Sequence, residues 1–184
     1  LTIFMILKET LRNIVLAQRE NLDLVETGVE RELIKDINVN VPFVIVLSGI
    51  RRCGKSTLLK QLMKKIKDFY YFNFEDPSAL NFEVEDFQKL NEIFLEEYGK
   101  KGVYLFDEIQ NVQKWELFVR KILDNRKYVV ITGSNASLLS KELGTKLTGR
   151  HLKFELFPFS YNEFLTLNKK KPGIVSFEEY FVNG

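Results

Sequence analysis

Short apolar runs alternate along this chain with segments whose apolar residues recur at helical spacing. Val44 to Leu47, Phe69 to Phe74, Val103 to Phe106 and Tyr128 to Ile131 are the runs, the pattern of parallel strands buried on both faces. After the first run, Leu58, Leu59, Leu62, Met63 and Ile66 share one face of a predicted helix, and Lys60, Lys64, Lys65 and Lys67 occupy much of the rest. Phe87, Leu90 and Phe94 mark a helix from about Asp86 to Tyr98, with Gly99 as its stop signal. Trp115, Phe118, Val119 and Ile122 do the same for Lys114 to Asp124, and a further helix is expected over Ala136 to Leu143. Strands alternating with helices predict an α/β protein with a parallel sheet.

Two segments follow other patterns. From His151 to Leu156 the apolar residues Leu152, Phe154 and Leu156 strictly alternate with polar ones, which predicts a half-buried strand near a sheet edge. Pro158 closes it, and Ser160-x-x-Glu163 is a capping box opening a helix through Leu167. At the other end, Phe4 to Leu22 reads as an amphipathic helix. Leu1 to Leu7 is too short for a membrane span and lacks the small-residue cleavage site of a signal peptide.

The turn after the first strand carries the chemistry. Gly49-x-x-x-x-Gly54-Lys55-Ser56 is a complete Walker A pattern between a buried strand and a helix, the context that motif requires. Gly49 and Gly54 permit backbone geometry that brings amide N–H groups close to phosphates. The helix N-terminus adds free N–H groups and the positive end of its dipole. Lys55 is expected on the β- and γ-phosphates and Ser56 on Mg²⁺. Thr57 is placed either for the α-phosphate or simply in the first helical turn. Arg51 and Arg52 read equally as phosphate or partner contacts and as solvated charge.

A second cluster lies further on. The run Val103 to Phe106 leads into Asp107-Glu108, a Walker B pattern at a strand's carboxyl end, where open α/β sheets place ligands. Asp107 is expected to hold Mg²⁺ through water, and Glu108 to activate the attacking water as general base. The bland alternative is an acidic helix cap. The run Tyr128 to Ile131 ends in Thr132-Gly133-Ser134-Asn135; Ser134 or Asn135 could reach the γ-phosphate from that tip, or form a polar turn and cap. The strand Phe69 to Phe74, inserted in sequence between the two motifs, reads as the extra strand separating the Walker A and Walker B strands, which kinases and GTPases lack.

Composition sharpens this only slightly. With 184 residues, 45% hydrophobic, one packed domain is expected. A formal net charge of +2 argues neither for nor against nucleic acid. One cysteine, Cys53, precludes an intrachain disulfide and suits a reducing cytoplasm. His151, the only histidine, makes a metal role improbable. The chain begins with leucine and stops at Tyr180-Phe181-Val182-Asn183-Gly184, which reads as a fragment of a longer protein.

The constellation GIRRCGKST, VYLFDEIQNV, VVITGSNASLLS and LTGRHLKFELFPFSYNEF resembles the prokaryotic AAA+-like ATPases often called archaeal-type ATPases, from roughly Leu24 to Gly184. The resemblance implies a three-layer P-loop NTPase of the ASCE, AAA+-like class around a five-stranded parallel sheet. In the implied order the Walker A strand lies between the last strand and the strand ending at Ile131, with the Walker B strand beyond. It further implies that Ser134 or Asn135 is sensor 1 and that Arg150 stands at an arginine-finger position; a structural pairing of Arg150 with Glu155 or Glu142 is the alternative. Glu30-Arg31-Glu32-Leu33 matches the segment that leads into the core near the adenine. A C-terminal domain of winged-helix or nuclease-like type is expected to follow. Residues 1–40 then form a helical lead-in, 41–168 the ATPase core and 169–184 the start of a truncated C-terminal region.

The expected ligands are ATP and Mg²⁺, and the expected activity is ATP hydrolysis coupled to a conformational change. A slow-turnover, STAND-like switch uses the same residues, and a nucleic-acid-associated ATPase is the other alternative. A small-molecule kinase is disfavoured because Glu108 supplies a water activator. A GTPase is disfavoured because Asn168-Lys169-Lys170-Lys171 lacks the carboxylate that reads guanine. Those lysines read as a solvated loop rather than a nucleic-acid face. A homo-oligomer and a protein or nucleic-acid partner through the following domain are the expected partners, with no membrane.

Overall fold

The computed structural model describes residues 6–24, 26–133, 147 and 149–183. Five strands form one wholly parallel sheet: β1 (Val44–Gly49), β2 (Phe69–Asn73), β3 (Val103–Asp107), β4 (Val129–Gly133) and β5 (His151–Leu156). Their spatial order is β2-β3-β4-β1-β5, so β1 lies between β5 and β4 with β3 beyond, as expected. One expectation needs correcting. The strand inserted in sequence, β2, lies at the sheet edge outside β3; the strand that separates β1 from β3 is β4.

The helices are α1 (Lys8–Leu24), α2 (Lys55–Met63), α3 (Asp86–Tyr98), α4 (Trp115–Asp124), α5 (Tyr161–Asn168) and α6 (Ile174–Asn183). Because neighbouring strand residues point to opposite faces, the sheet builds two cores. Val44, Val46, Phe72, Tyr104, Phe106 and Ile131 face α1, α3 and α4. Ile45, Leu47, Leu105 and Val130 face α2, whose Leu58, Leu59 and Leu62 are buried against them. Three layers result.

Most predicted elements form with ends shifted by a residue or two, as expected of boundaries. Gly99 ends α3 with φ 78°. The capping box forms at α5, where the Ser160 side chain accepts from the Glu163 amide and the Glu163 side chain accepts from the Ser160 amide. Three findings differ from expectation. Ile66 lies beyond the end of α2. Among the described residues β5 is an edge strand paired only with β1, but its apolar side is not evenly covered: Leu152 is 40% exposed whereas Leu156 is buried. Residues 174–183 form a helix, α6, that packs on α5 through Tyr180 against Tyr161 and Phe164. The lead-in helix α1 also shares the main core through Leu11, Ile14 and Val15. The helix expected over Ala136 to Leu143 lies outside the described residues.

Candidate functional site

β1, β4 and β3 are neighbours, and their carboxyl ends deliver Gly49, Thr132 and Asp107 to one edge of the sheet. Gly49 is the tightest point. A Cβ there would stand 2.3 Å from the Leu156 carbonyl oxygen and 2.8 Å from Cys53 Sγ, and its φ is 153°. Glycine is therefore required by the close approach of β5. Gly54 caps α2 with φ 95°, and Leu58 donates to its carbonyl at 2.9 Å. The loop thus turns directly into a helix N-terminus, with Lys55 and Ser56 in the first turn.

Lys55 is buried, and its Nζ donates to the Gly49 carbonyl at 3.3 Å and the Ile50 carbonyl at 3.0 Å. Glu108 Oε1 lies 4.0 Å away. The other Glu108 oxygen accepts from Gln110 Nε2 at 2.6 Å. Glu108 itself sits in the left-handed region, φ 52°, which turns its side chain off the strand direction. Asp107 is 2% exposed and accepts hydrogen bonds from the Thr132 and Ser56 hydroxyls. Burial raises its pKa above the ordinary carboxylate value; those two hydroxyls pull it back down, and the neighbouring Glu108 pushes it up. The same Thr132 hydroxyl accepts from the Glu108 amide at 2.9 Å. One hydroxyl therefore aligns both acidic residues.

The predicted residues divide clearly. Gly49, Gly54, Lys55, Ser56, Asp107 and Glu108 converge. Thr57 and Arg52 line an adjoining cleft of about 430 Å³, shared with Arg31, Cys53 and Phe159. Arg51 is exposed and pairs with Glu75 at 3.4 Å. Ser134 and Asn135 lie outside the described residues. Arg150 is not brought to its own phosphate loop. It precedes β5 at the opposite end of the sheet, about 17 Å of strand away, and pairs with Asp124 at 2.9 Å rather than with Glu155. Glu142, the other expected partner, lies outside the described residues.

Sequence reasoning left Thr132, Gln61 and the Arg31–Glu163 pair unassigned. Arg31 Nε donates to Glu163 at 3.0 Å, Nη1 to the Cys53 carbonyl at 2.8 Å and Nη2 to the Phe157 carbonyl at 2.7 Å. Gln61 holds the preceding segment on α2, donating to the Thr27 and Val29 carbonyls and accepting from the Arg31 amide. A glutamine three residues after Leu58, on the apolar side of the predicted helix, was the available signal. No cluster of His, Cys, Asp and Glu suited to a metal occurs among the described residues, and His151 Nδ1 lies 3.3 Å from the Leu147 carbonyl. A single Mg²⁺ taken by the Ser56 hydroxyl and held through water by Asp107 fits the donor set, since hard cations take oxygen ligands and keep waters. No helix among the described residues is long and apolar enough to cross a membrane.

Comparison with known proteins places this arrangement. An uncharacterised protein of Methanocaldococcus jannaschii is 39% identical over 156 residues, covering 82% of this chain and 35% of its own length. An uncharacterised protein of Haemophilus influenzae is 38% identical over 137 residues, covering 67% and 33%. The chain thus spans about a third of the length of the curated relatives it matches. Among solved structures, AMPPCP-bound DnaA from Aquifex aeolicus superimposes with a TM-score of 0.51 at 16% identity, covering 98% of this chain and 61% of that one, a likeness of fold. The AAA domain family matches residues 42–165, the whole span from β1 into α5. This chain belongs to that family, the AAA+-like P-loop ATPases.

Proposed function

We propose that this chain binds ATP with Mg²⁺ and hydrolyses it, coupling the cycle to a conformational change. The observation that carries the reading is the convergence of Lys55, Ser56, Asp107 and Glu108 at the carboxyl edge of three neighbouring strands. Lys55 and the α2 N-terminus supply positive charge to the β- and γ-phosphates. Ser56 and Asp107 hold the ion, and Glu108 orients and deprotonates water. The adjoining cleft between Arg31, Thr57 and Phe159 has room for the base and ribose. DnaA from Aquifex aeolicus, which shares the fold, was solved with AMPPCP bound.

Calorimetric titration with AMPPCP and Mg²⁺, paired with phosphate release from ATP, tests the reading. Lys55→Ala is expected to abolish measurable binding. Glu108→Gln is expected to keep binding and lose about 10² or more in turnover, the scale of a lost general base. Equal affinity of Lys55→Ala and wild type would overturn it.

A slow-turnover switch is favoured by one observation: both Glu108 oxygens face partners, Lys55 and Gln110. An attacking water must compete with those contacts for the carboxylate before Glu108 can act as its base. A turnover number well below about 1 s⁻¹, the low end of ordinary enzymes, would select this reading.

Arg150 serves a neighbouring subunit in this proposal, because its own loop is a strand length away. An arginine finger in trans contributes about 10³ to 10⁵ in turnover. Mixing Arg150→Ala with Lys55→Ala chains is expected to restore partial activity, and activity is expected to rise with protein concentration. Ser134 or Asn135 would complete the site as sensor 1, and a cytoplasmic, reducing setting suits Cys53.

A further inference from the structure

Helices in a parallel α/β layer run opposite to the strands, so helix carboxyl ends and strand amino ends share one face. Here that face gathers the loops before β2, β3 and β4 around a cleft of about 400 Å³. Lys65 and Lys67 enter it after α2, Lys101 after α3, and Arg126 and Lys127 after α4. Among the described residues Asp68 is the one carboxylate lining it. Five cations against one anion give the lining a net charge of +4, while the whole chain carries +2. The remaining surface is therefore net negative, and positive charge is concentrated at this end of the sheet.

Helix dipoles explain part of this, since a carboxyl end favours a nearby cation and three such ends meet here, each equivalent to about half a negative charge. Lys127 serves that purpose, donating to the Lys100 carbonyl at 2.9 Å, and Lys65 pairs with Glu30 at 3.2 Å. The explanation stops there. The side chains of Lys67, Lys101 and Arg126 are exposed and form no hydrogen bond or ion pair among the described residues. Half a charge at each helix end leaves the cleft positive. Between the cations the lining is apolar and aromatic, with Ile66 and the partly exposed ring of Tyr128.

We propose that this cleft binds nucleic acid, its cations on successive phosphates and Tyr128 under a base. An acidic peptide would be drawn by the same charge, but its carboxylates do not stack on a flat aromatic ring, whereas every nucleotide carries a base that can. The cleft is distinct from the site of Lys55 and Asp107, which lies at the other end of the same strands. α2 joins the two, starting at the phosphate loop and ending just before Lys65 and Lys67. The inference does not depend on hydrolysis.

Fluorescence anisotropy with labelled 20-nucleotide single strands and matched duplexes, at 50 and 200 mM salt, tests it. Non-specific binding of this kind has Kd of about 10⁻⁴ to 10⁻⁶ M near physiological salt and weakens steeply as salt rises. The triple reversal Lys67→Glu, Lys101→Glu, Arg126→Glu is expected to cut affinity at least tenfold. It should also flatten the logarithmic salt slope by about 2 for single strands, at about 0.7 per lost contact. Reversing Lys169 and Lys171, exposed lysines away from the cleft, is expected to change affinity less than twofold. Tyr128→Ala is expected to weaken single-strand binding and leave the salt slope unchanged. Circular dichroism checks that each variant is folded. Absence of binding at 50 mM salt would overturn the proposal, as would full affinity in a folded triple variant. Competition by poly-glutamate as strong as by an oligonucleotide of equal charge would overturn it in favour of an acidic protein partner.

Discussion

Gly49 and Gly28 both carry positive φ, and they separate two reasons for using glycine. At Gly28, φ is 56° and no atom lies within 4 Å of the point a Cβ would occupy, so alanine meets only the left-handed penalty, about 1–2 kcal/mol. At Gly49 the added methyl meets a backbone oxygen of β5, which cannot swing aside as a flexible side chain can. Gly49→Ala is expected to cost appreciably more than Gly28→Ala, on the order of 3 kcal/mol or more, with repositioning of β5. Urea unfolding of both variants measures the difference, and equal costs would show that β5 yields. The phosphate loop is thus specified partly by a strand about a hundred residues later, which no local pattern announces.

Between elements, the Arg31–Glu163 pair ties the lead-in, the phosphate loop and α5 together. Burial opposes the Glu163 charge, but Arg31 and the amides of Ser160 and Glu32 outweigh it and hold its pKa below the ordinary value of 4.5. A carboxyl depressed in the folded state contributes stability above its unfolded pKa and loses it as pH falls through the folded one. Wild type is therefore expected to lose part of its margin below about pH 4.5, whereas Glu163→Gln lacks that contribution at every pH. Arg31→Ala strands a buried carboxylate and is expected to cost about 3–5 kcal/mol at neutral pH. Thermal melts from pH 3.5 to 8 measure both effects. The sequence showed Glu163 only as half of a capping box. Its Oε1 also serves Arg31 and Glu32, over 130 positions away, a distance at which periodicity is silent. The phosphate loop, the acidic strand end and all five strands were legible because each is announced by a local run or spacing. Thr132 was visible as a strand-tip polar residue, but its link to Asp107 and Glu108 exists only once β4 lies beside β3. Helix α6 was missed because, although Ile174, Phe177 and Phe181 fall at i, i+3 and i+7, Val175, Tyr180 and Val182 spread its apolar residues well beyond one face.

Across the whole molecule the strand order has a consequence in time. β1 is an interior strand, yet both its neighbours come late: Val44 pairs with Val129 and with His151, and with nothing in β2 or β3. During synthesis at about 5–20 residues per second, β1 emerges roughly 4–17 s before its first partner strand. Through that interval β2 and β3 can pair, while the apolar run Val44 to Leu47 has no sheet to join. A chain released before Val129 is expected to stay open to protease at β1 and to aggregate through that strand, which pulse proteolysis of a fragment ending at Lys127 would reveal. The loop after β1, the proposed phosphate-binding loop, is then among the last parts to acquire a defined shape, so an incomplete chain is expected to hold no assembled phosphate site.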